Sequence, residues 1–279
     1  MSILSELRNR RLGLIELLSM GFDVYLQNLQ PILKMFLILL FPFQVFSISW
    51  LYLYQGKVLT GGIVWILYLA LVCVQIILAT IFSVWLALFM EHRIYGQRRQ
   101  QKEIGRIILS RLIPLILLSL RFWMNVTLRF LILLILAGIV IGIVIGGLSA
   151  IFEQNVNMFL LIAITYIISI MLTSIYFVKS GYYDLAFILR DQRGRTAFRY
   201  SQNVVKGNWW RVFFFIFLTV FLVYGLSILF KWLLGNISFL HPFWLSILLS
   251  LLLGIISIGP RISEILLFFN LEYLKNLKA

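Results

Sequence analysis

The sequence has one cysteine, two histidines and five prolines in 279 residues, and only ten acidic side chains. Cys73 stands alone inside an apolar run, so the chain has no internal disulfide, and the residue reads as a small buried hydrophobe. By the topology developed below, His92 and His241 lie at opposite membrane surfaces, so they cannot share a metal. No HExxH, nucleophile elbow or phosphate-cradling Gly-Lys-Ser loop is present, and Lys206-Gly207 reverses the order such a loop needs. These scarcities leave no catalytic residue, no metal site and no cofactor to assign, and the reading leans away from an enzyme.

What the chain has in abundance is apolar surface. Hydrophobic residues make up 62% and charged residues 12%, and the mean hydropathy is +1.01. A soluble domain is about half apolar and about a quarter charged. A chain this apolar exceeds what one water-soluble core can hide, and its length fits about six crossings of about 20 residues with connectors. Six apolar stretches follow, at 32–54, 63–90, 122–150, 158–180, 212–233 and 242–260. The runs are continuous rather than alternating with period two, which excludes a β-barrel and makes them helices. The N-terminal "MSILSELRNRRLGLIELL" is not a signal peptide, because Glu16 interrupts its apolar segment and no small-residue cleavage site follows.

The net charge of +14 would point to nucleic acid in a soluble protein. Here its distribution points to the membrane. Basic residues crowd into four segments: Arg8 to Lys34, Arg93 to Arg121, Lys179 to Arg211, and Arg261 to Lys278. The alternate loops hold only Lys57 and Lys231, and Arg129 is the one basic residue left over. By the positive-inside rule both termini are cytoplasmic and the crossings are even in number. The fold expected is an all-α polytopic protein of the cell (inner) membrane, with six transmembrane helices and short interfacial amphipathic helices.

Those interfacial helices are legible. In "RTAFRYSQNVVKG", Arg195, Arg199 and Gln202 share one helical face while Ala197, Tyr200 and Val204 share another. Leu14, Leu18, Gly21 and Tyr25 are similarly in register. Residues 103–120 form a third candidate, interfacial or shallowly re-entrant, with Pro114 expected to break or kink it. One membrane domain over 1–279 would then hold three parallel repeats of interfacial helix plus hairpin, 1–90, 91–180 and 181–279. Tyr25, Gln27 and Asn28 match Tyr200, Gln202 and Asn203 across the first and third.

The segments "VYLQNLQPILK", "YYDLAFILRDQRGRTAFRYSQNVVKGNWWRVFFF" and "LLFFNLEYLKN" together resemble the bacterial membrane-protein family named after the membrane domain of glycerophosphoryl diester phosphodiesterase. The resemblance covers nearly the whole chain, with Ala197, Ser201, Lys206, Gly207, Trp210 and Arg211 filling the family's small-residue, Lys-Gly and aromatic-basic positions. It implies a stand-alone membrane part. The phosphodiesterase barrel that follows it in fused members has no counterpart before Ala279, so the resemblance brings no activity.

Several polar residues near the apolar runs are candidates for function, since an ionisable group in a membrane is costly. The helix from 158 to 189 is too long for the hydrocarbon core and is expected to project into the cytoplasm or bend near Gly181, which leaves Asp184 at the interface, paired with Lys179 or a neighbouring arginine. Glu264 stands three residues after Arg261 and fits an i, i+3 pair. Arg121, Asn125 and Arg129 recur every four residues, as a snorkelling face or an anion and lipid-headgroup site. Gly138, Gly142 and Gly146 form a small-residue stripe suited to close helix packing, within the bundle or between copies. In "VVKGNWWRVFFFIF", Lys206, Trp209, Trp210 and Arg211 read as interfacial anchors at the doorway of the fifth crossing.

The function expected is non-enzymatic: handling of lipid or an amphipathic cargo, or service as a membrane partner for another protein. The partners expected are membrane lipids with anionic headgroups on the cytoplasmic side, and a second copy or another membrane protein, without nucleic acid. The alternative is a transporter or channel for a small solute. It needs a polar path at mid-depth, and Gln44, Gln75, Thr80, Thr165, Thr173 and Ser250 are scattered and uncharged. Convergence of Asp184, Glu264 and Arg129 on one hydrated cavity would favour the transporter; local pairs would favour the first reading.

Overall fold

The computed structural model describes residues 3–54, 62–96, 101–152, 158–235 and 242–276. Among them every regular element is a helix: α1 (Ile3–Asn9), α2 (Leu14–Gln27), α3 (Leu29–Leu39), α4 (Phe41–Tyr54), α5 (Gly62–Tyr95), α6 (Gln101–Phe152), α7 (Met158–Ser180), α8 (Tyr183–Arg190), α9 (Arg195–Val205), α10 (Trp209–Gly235) and α11 (Pro242–Asn276). Six stretches are long and apolar enough to cross a membrane. The protein is an all-α polytopic membrane protein.

Local chemistry sets the breaks. The first crossing is α3 followed by α4, joined at Leu40 just before Pro42, whose ring cannot continue the hydrogen-bond ladder behind it. Pro242 opens α11 at the first helical position, where a missing N–H costs nothing. The bend expected near Gly181 is present, since α7 ends at Ser180 and α8 starts at Tyr183. Gly207, at φ +84°, turns the chain from α9 into α10 in the left-handed region that glycine tolerates.

Pro114 does not break its helix. It lies inside α6, which runs 52 residues without a break, about 78 Å at 1.5 Å per residue. Residues 103–120 are therefore continuous with the third crossing's own helix, which is longer than a hydrocarbon core of about 30 Å. Ile108, Leu115, Leu118 and Phe122 are buried on either side of the proline. Their packing holds the helix together across the hydrogen bond that Pro114 cannot make.

The buried core gathers at one end of the spans, beside the basic segments. It takes Leu7 to Phe36 from the first elements, Phe82 to Ile94 from α5, Val178 to Ile188 around the α7–α8 bend, and Ile258 to Tyr273 from α11. Away from that end the helices expose large apolar residues, such as Ile132, Ile139, Ile167, Phe221 and Ile228. α11 is the organising element, packing on α2 above all and also on α10, α4, α1, α5 and α9. Its contact with α2 is close: a Cβ on Gly21 would lie 1.9 Å from Ser263 Oγ, and one on Gly259 would lie 2.5 Å from the Phe22 ring. Leu18, Gly21 and Tyr25 are buried as their register implied. On α9, Ala197, Ser201, Val204 and Val205 are buried while Arg195, Arg199 and Gln202 are exposed.

Among the described residues of one chain, no other helix approaches the glycine stripe of α6 closely. A Cβ on Gly138 or Gly142 would meet nothing within 4 Å, and the surroundings of Gly146 lie outside the described residues. A second small-residue row does face inward. Thr165, Ser169 and Thr173 recur every four residues on α7 and are buried, and α7 packs chiefly on α6.

Candidate functional site

Three polar clusters, all anchored on α11, tie the packed end together. In the first, Arg261 binds Asp184 of α8 and Glu264 one turn on, the latter at 2.5 Å. The i, i+3 pair is as expected, and of the two kinds of partner expected for Asp184 it has an arginine, Arg261, and not Lys179. In the second, the buried Asn270 side chain donates to the carbonyls of Leu7 at 2.8 Å and Arg10 at 3.0 Å, and accepts from Arg211 Nη2 at 2.7 Å. Arg211 Nη2 also donates to the Leu12 carbonyl at 2.6 Å. In the third, Glu272 receives both ends of the Arg190 guanidinium, at 2.7 and 2.6 Å, and the Tyr200 hydroxyl. Arg190 reaches Glu91 of α5 as well, at 3.1 Å. Burial first, and then the Glu272 carboxylate, push the Tyr200 hydroxyl's pKa up, so it remains a neutral donor.

These clusters involve residues that the sequence did not single out. Asn270 and Glu272 sit in "LLFFNLEYLKN", which drew notice only as a resemblance. The one available signal was two polar side chains among buried aromatics at the end of a long apolar helix. Arg211, expected as a surface anchor, is 7% exposed and holds the N-terminal segment instead. Its burial follows from the two neutral acceptors waiting for it on α11 and before α2.

Asp184 and Glu264 thus meet on Arg261, whereas Arg129 is elsewhere. Its guanidinium lies over the Tyr176 ring, 4.1 Å from the centroid, a cation–π contact between α6 and α7. Arg121 and Asn125 share a shallow depression with Leu117, Trp123 and Leu128, lined by α6 alone, and Asn125 donates back to the Arg121 carbonyl at 2.8 Å. No second element completes a site around this row. Of the scattered polar residues, Gln44 and Ser250 bond each other at 3.2 Å and Thr80 turns back onto Ile76 at 2.8 Å. A pocket of about 240 Å³ between α5, α6 and α8 is lined by Thr80, Ser83, Ser119, Tyr183 and Asp184 together with apolar residues.

The doorway segment forms a groove. Lys179 at the end of α7, Arg199, Gln202 and Asn203 of α9, and Lys206, Gly207 and Trp209 line a volume of about 530 Å³. Lys275 stands close by, donating to the Asn203 carbonyl at 3.1 Å. Among the described residues no carboxylate lies within ion-pair distance of Lys179, Arg199 or Lys206, in contrast to Arg190 and Arg261. The groove is built by a seam between α7 and α9: Ser201 Oγ donates to the Lys179 carbonyl at 3.0 Å and accepts from Tyr182 N–H at 3.1 Å. Trp210, by contrast, faces outward, stacked on Phe214 at 5.8 Å.

No group of three histidine, cysteine or acidic residues placed to hold a metal occurs among the described residues. No family model matches the chain, and neither a curated protein nor a solved structure matches it.

Proposed function

We propose that this is a non-enzymatic membrane protein of the cytoplasmic (inner) membrane that binds and organises lipid, with both termini and the packed end on the cytoplasmic side. The observation that carries the reading is the division of the molecule. Acidic and buried basic groups are tied in local pairs at one end, while the spans beyond that end leave their large apolar side chains uncovered. Such apolar faces take acyl chains, and the exposed basic rim attracts anionic headgroups, at about 1 kcal/mol per residue near the surface. The resemblance to the family named after the glycerophosphoryl diester phosphodiesterase membrane domain accords with a membrane module of this kind. Purification in native lipid followed by mass spectrometry tests it. Enrichment of one lipid class over the bulk membrane supports the reading, and a co-purified lipid identical to the bulk opposes it.

A second reading, a transporter for a small solute, rests on the polar pocket beside Asp184. It predicts that Asp184→Asn abolishes uptake of a solute into vesicles while leaving the fold intact. The pairing of Asp184 with Arg261 favours a structural role for that carboxylate instead.

A further inference from the structure

We infer that the groove formed by Lys179, Arg199, Lys206 and the start of α10 is the seat of one anionic phospholipid, its phosphate among the three cations and an acyl chain along the exposed apolar row of α7 below Lys179. The inference rests on the lipid-binding reading above and gives it a place and a headgroup chemistry.

Charge comes first. Lys179, Arg199 and Lys206 line one volume and have no acidic partner among the described residues, so their positive charge is not neutralised within the described chain. α10 begins there too. Val212 N–H is the first of that helix to close back, on the Asn208 carbonyl at 3.2 Å. The N–H groups of 209–211 precede it and have no intrahelical acceptor, so the positive end of the helix dipole adds to the same field. Gln202 and Asn203 add amides that can hydrogen-bond glycerol or phosphate oxygens. A phosphate diester is the group this chemistry recognises.

Shape distinguishes a lipid from a free phosphate. On α7 the residues four, seven and eleven positions before Lys179 share its face: Ile175, Leu172 and Ile168, all exposed. The row is eleven residues long, about 17 Å at 1.5 Å per residue. That is close to half of a hydrocarbon core of about 30 Å, the depth of one leaflet. On α10, Trp209 stacks on Phe213 at 5.1 Å, and Val220 continues the same face, exposed. A cationic head above an apolar track one leaflet deep is the outline of a phospholipid.

The test uses the full-length protein, titrated with phosphatidylglycerol or phosphatidylcholine and read by native mass spectrometry. Wild type is expected to take one phosphatidylglycerol in preference to phosphatidylcholine. Lys179→Gln/Arg199→Gln/Lys206→Gln is expected to weaken that binding on the order of 100-fold. Arg106→Gln/Arg121→Gln/Arg129→Gln, with the same loss of charge, is expected to leave it unchanged. Ile175→Trp, which places a bulkier side chain on the apolar row without altering charge, is expected to weaken it as well, and circular dichroism and size-exclusion profiles check that each variant folds. Equal losses in the two triple variants would overturn the groove and leave general lipid binding standing. An unchanged affinity in Ile175→Trp would overturn the acyl track. Glycerol 3-phosphate binding as tightly as the lipid would make this a soluble-phosphate site and overturn the inference. Absence of any phosphatidylglycerol preference in wild type would instead count against the lipid-binding function itself.

Discussion

Arg261 serves two carboxylates, so its cluster carries one more negative charge than positive, and the three side chains are 18–27% exposed. Removing the arginine leaves two uncompensated acids; removing Glu264 leaves a matched pair. Arg261→Met should therefore cost about 3 kcal/mol and Glu264→Gln under about 1 kcal/mol, read as thermal midpoints in one detergent. Similar losses for both would mean that Asp184 does not depend on Arg261. Asn270→Leu strips the partners from two carbonyls and from Arg211, and should cost about 1–3 kcal/mol, with increased hydrogen exchange in residues 3–12. The Arg261–Glu264 contact was legible in the sequence because it is local, an i, i+3 pair. Asn270 and Arg211 were not, because their partners are backbone carbonyls some 200 to 260 residues away. A backbone acceptor leaves no signature in residue type.

Among the elements, the amphipathic faces of α2 and α9 could be read from spacing alone, and so could the bend at Gly181. The course of α6 could not. Pro114 signals a break, and only the packing of Leu115 and Leu118 against their neighbours tells the helix to continue. Small residues are ambiguous for a related reason. Within this chain nothing described approaches Gly138 and Gly142, whereas Gly21 meets Ser263. Gly21→Ala should accordingly destabilise the protein by about 1–3 kcal/mol and speed hydrogen exchange across α2. Gly225→Ala, whose Cβ would meet nothing within 4 Å, should be neutral or mildly stabilising. If the two substitutions behave alike, the α2–α11 contact is not the close one described.

For the whole molecule, hydropathy revealed the six spans, because a membrane-crossing helix must be apolar along its entire length. What hydropathy could not reveal is the unequal packing, with a tied end and uncovered spans, since apolar residues look the same whether they face lipid or protein. The proposed orientation makes a prediction at this scale. In a Cys73→Ser background, a single cysteine at Arg195 should react with an impermeant maleimide only after permeabilisation, and one at Lys231 should react in intact spheroplasts. The reverse pattern would put the packed end outside. The most direct measurement of the central claim is an experimental structure of the protein in nanodiscs containing phosphatidylglycerol. Phosphate density within hydrogen-bonding reach of Lys179, Arg199 and Lys206, with chain density along Ile175 and Leu172, is the predicted result. Protein packed over Ile175 and Leu172, or those three side chains paired with carboxylates, would contradict it.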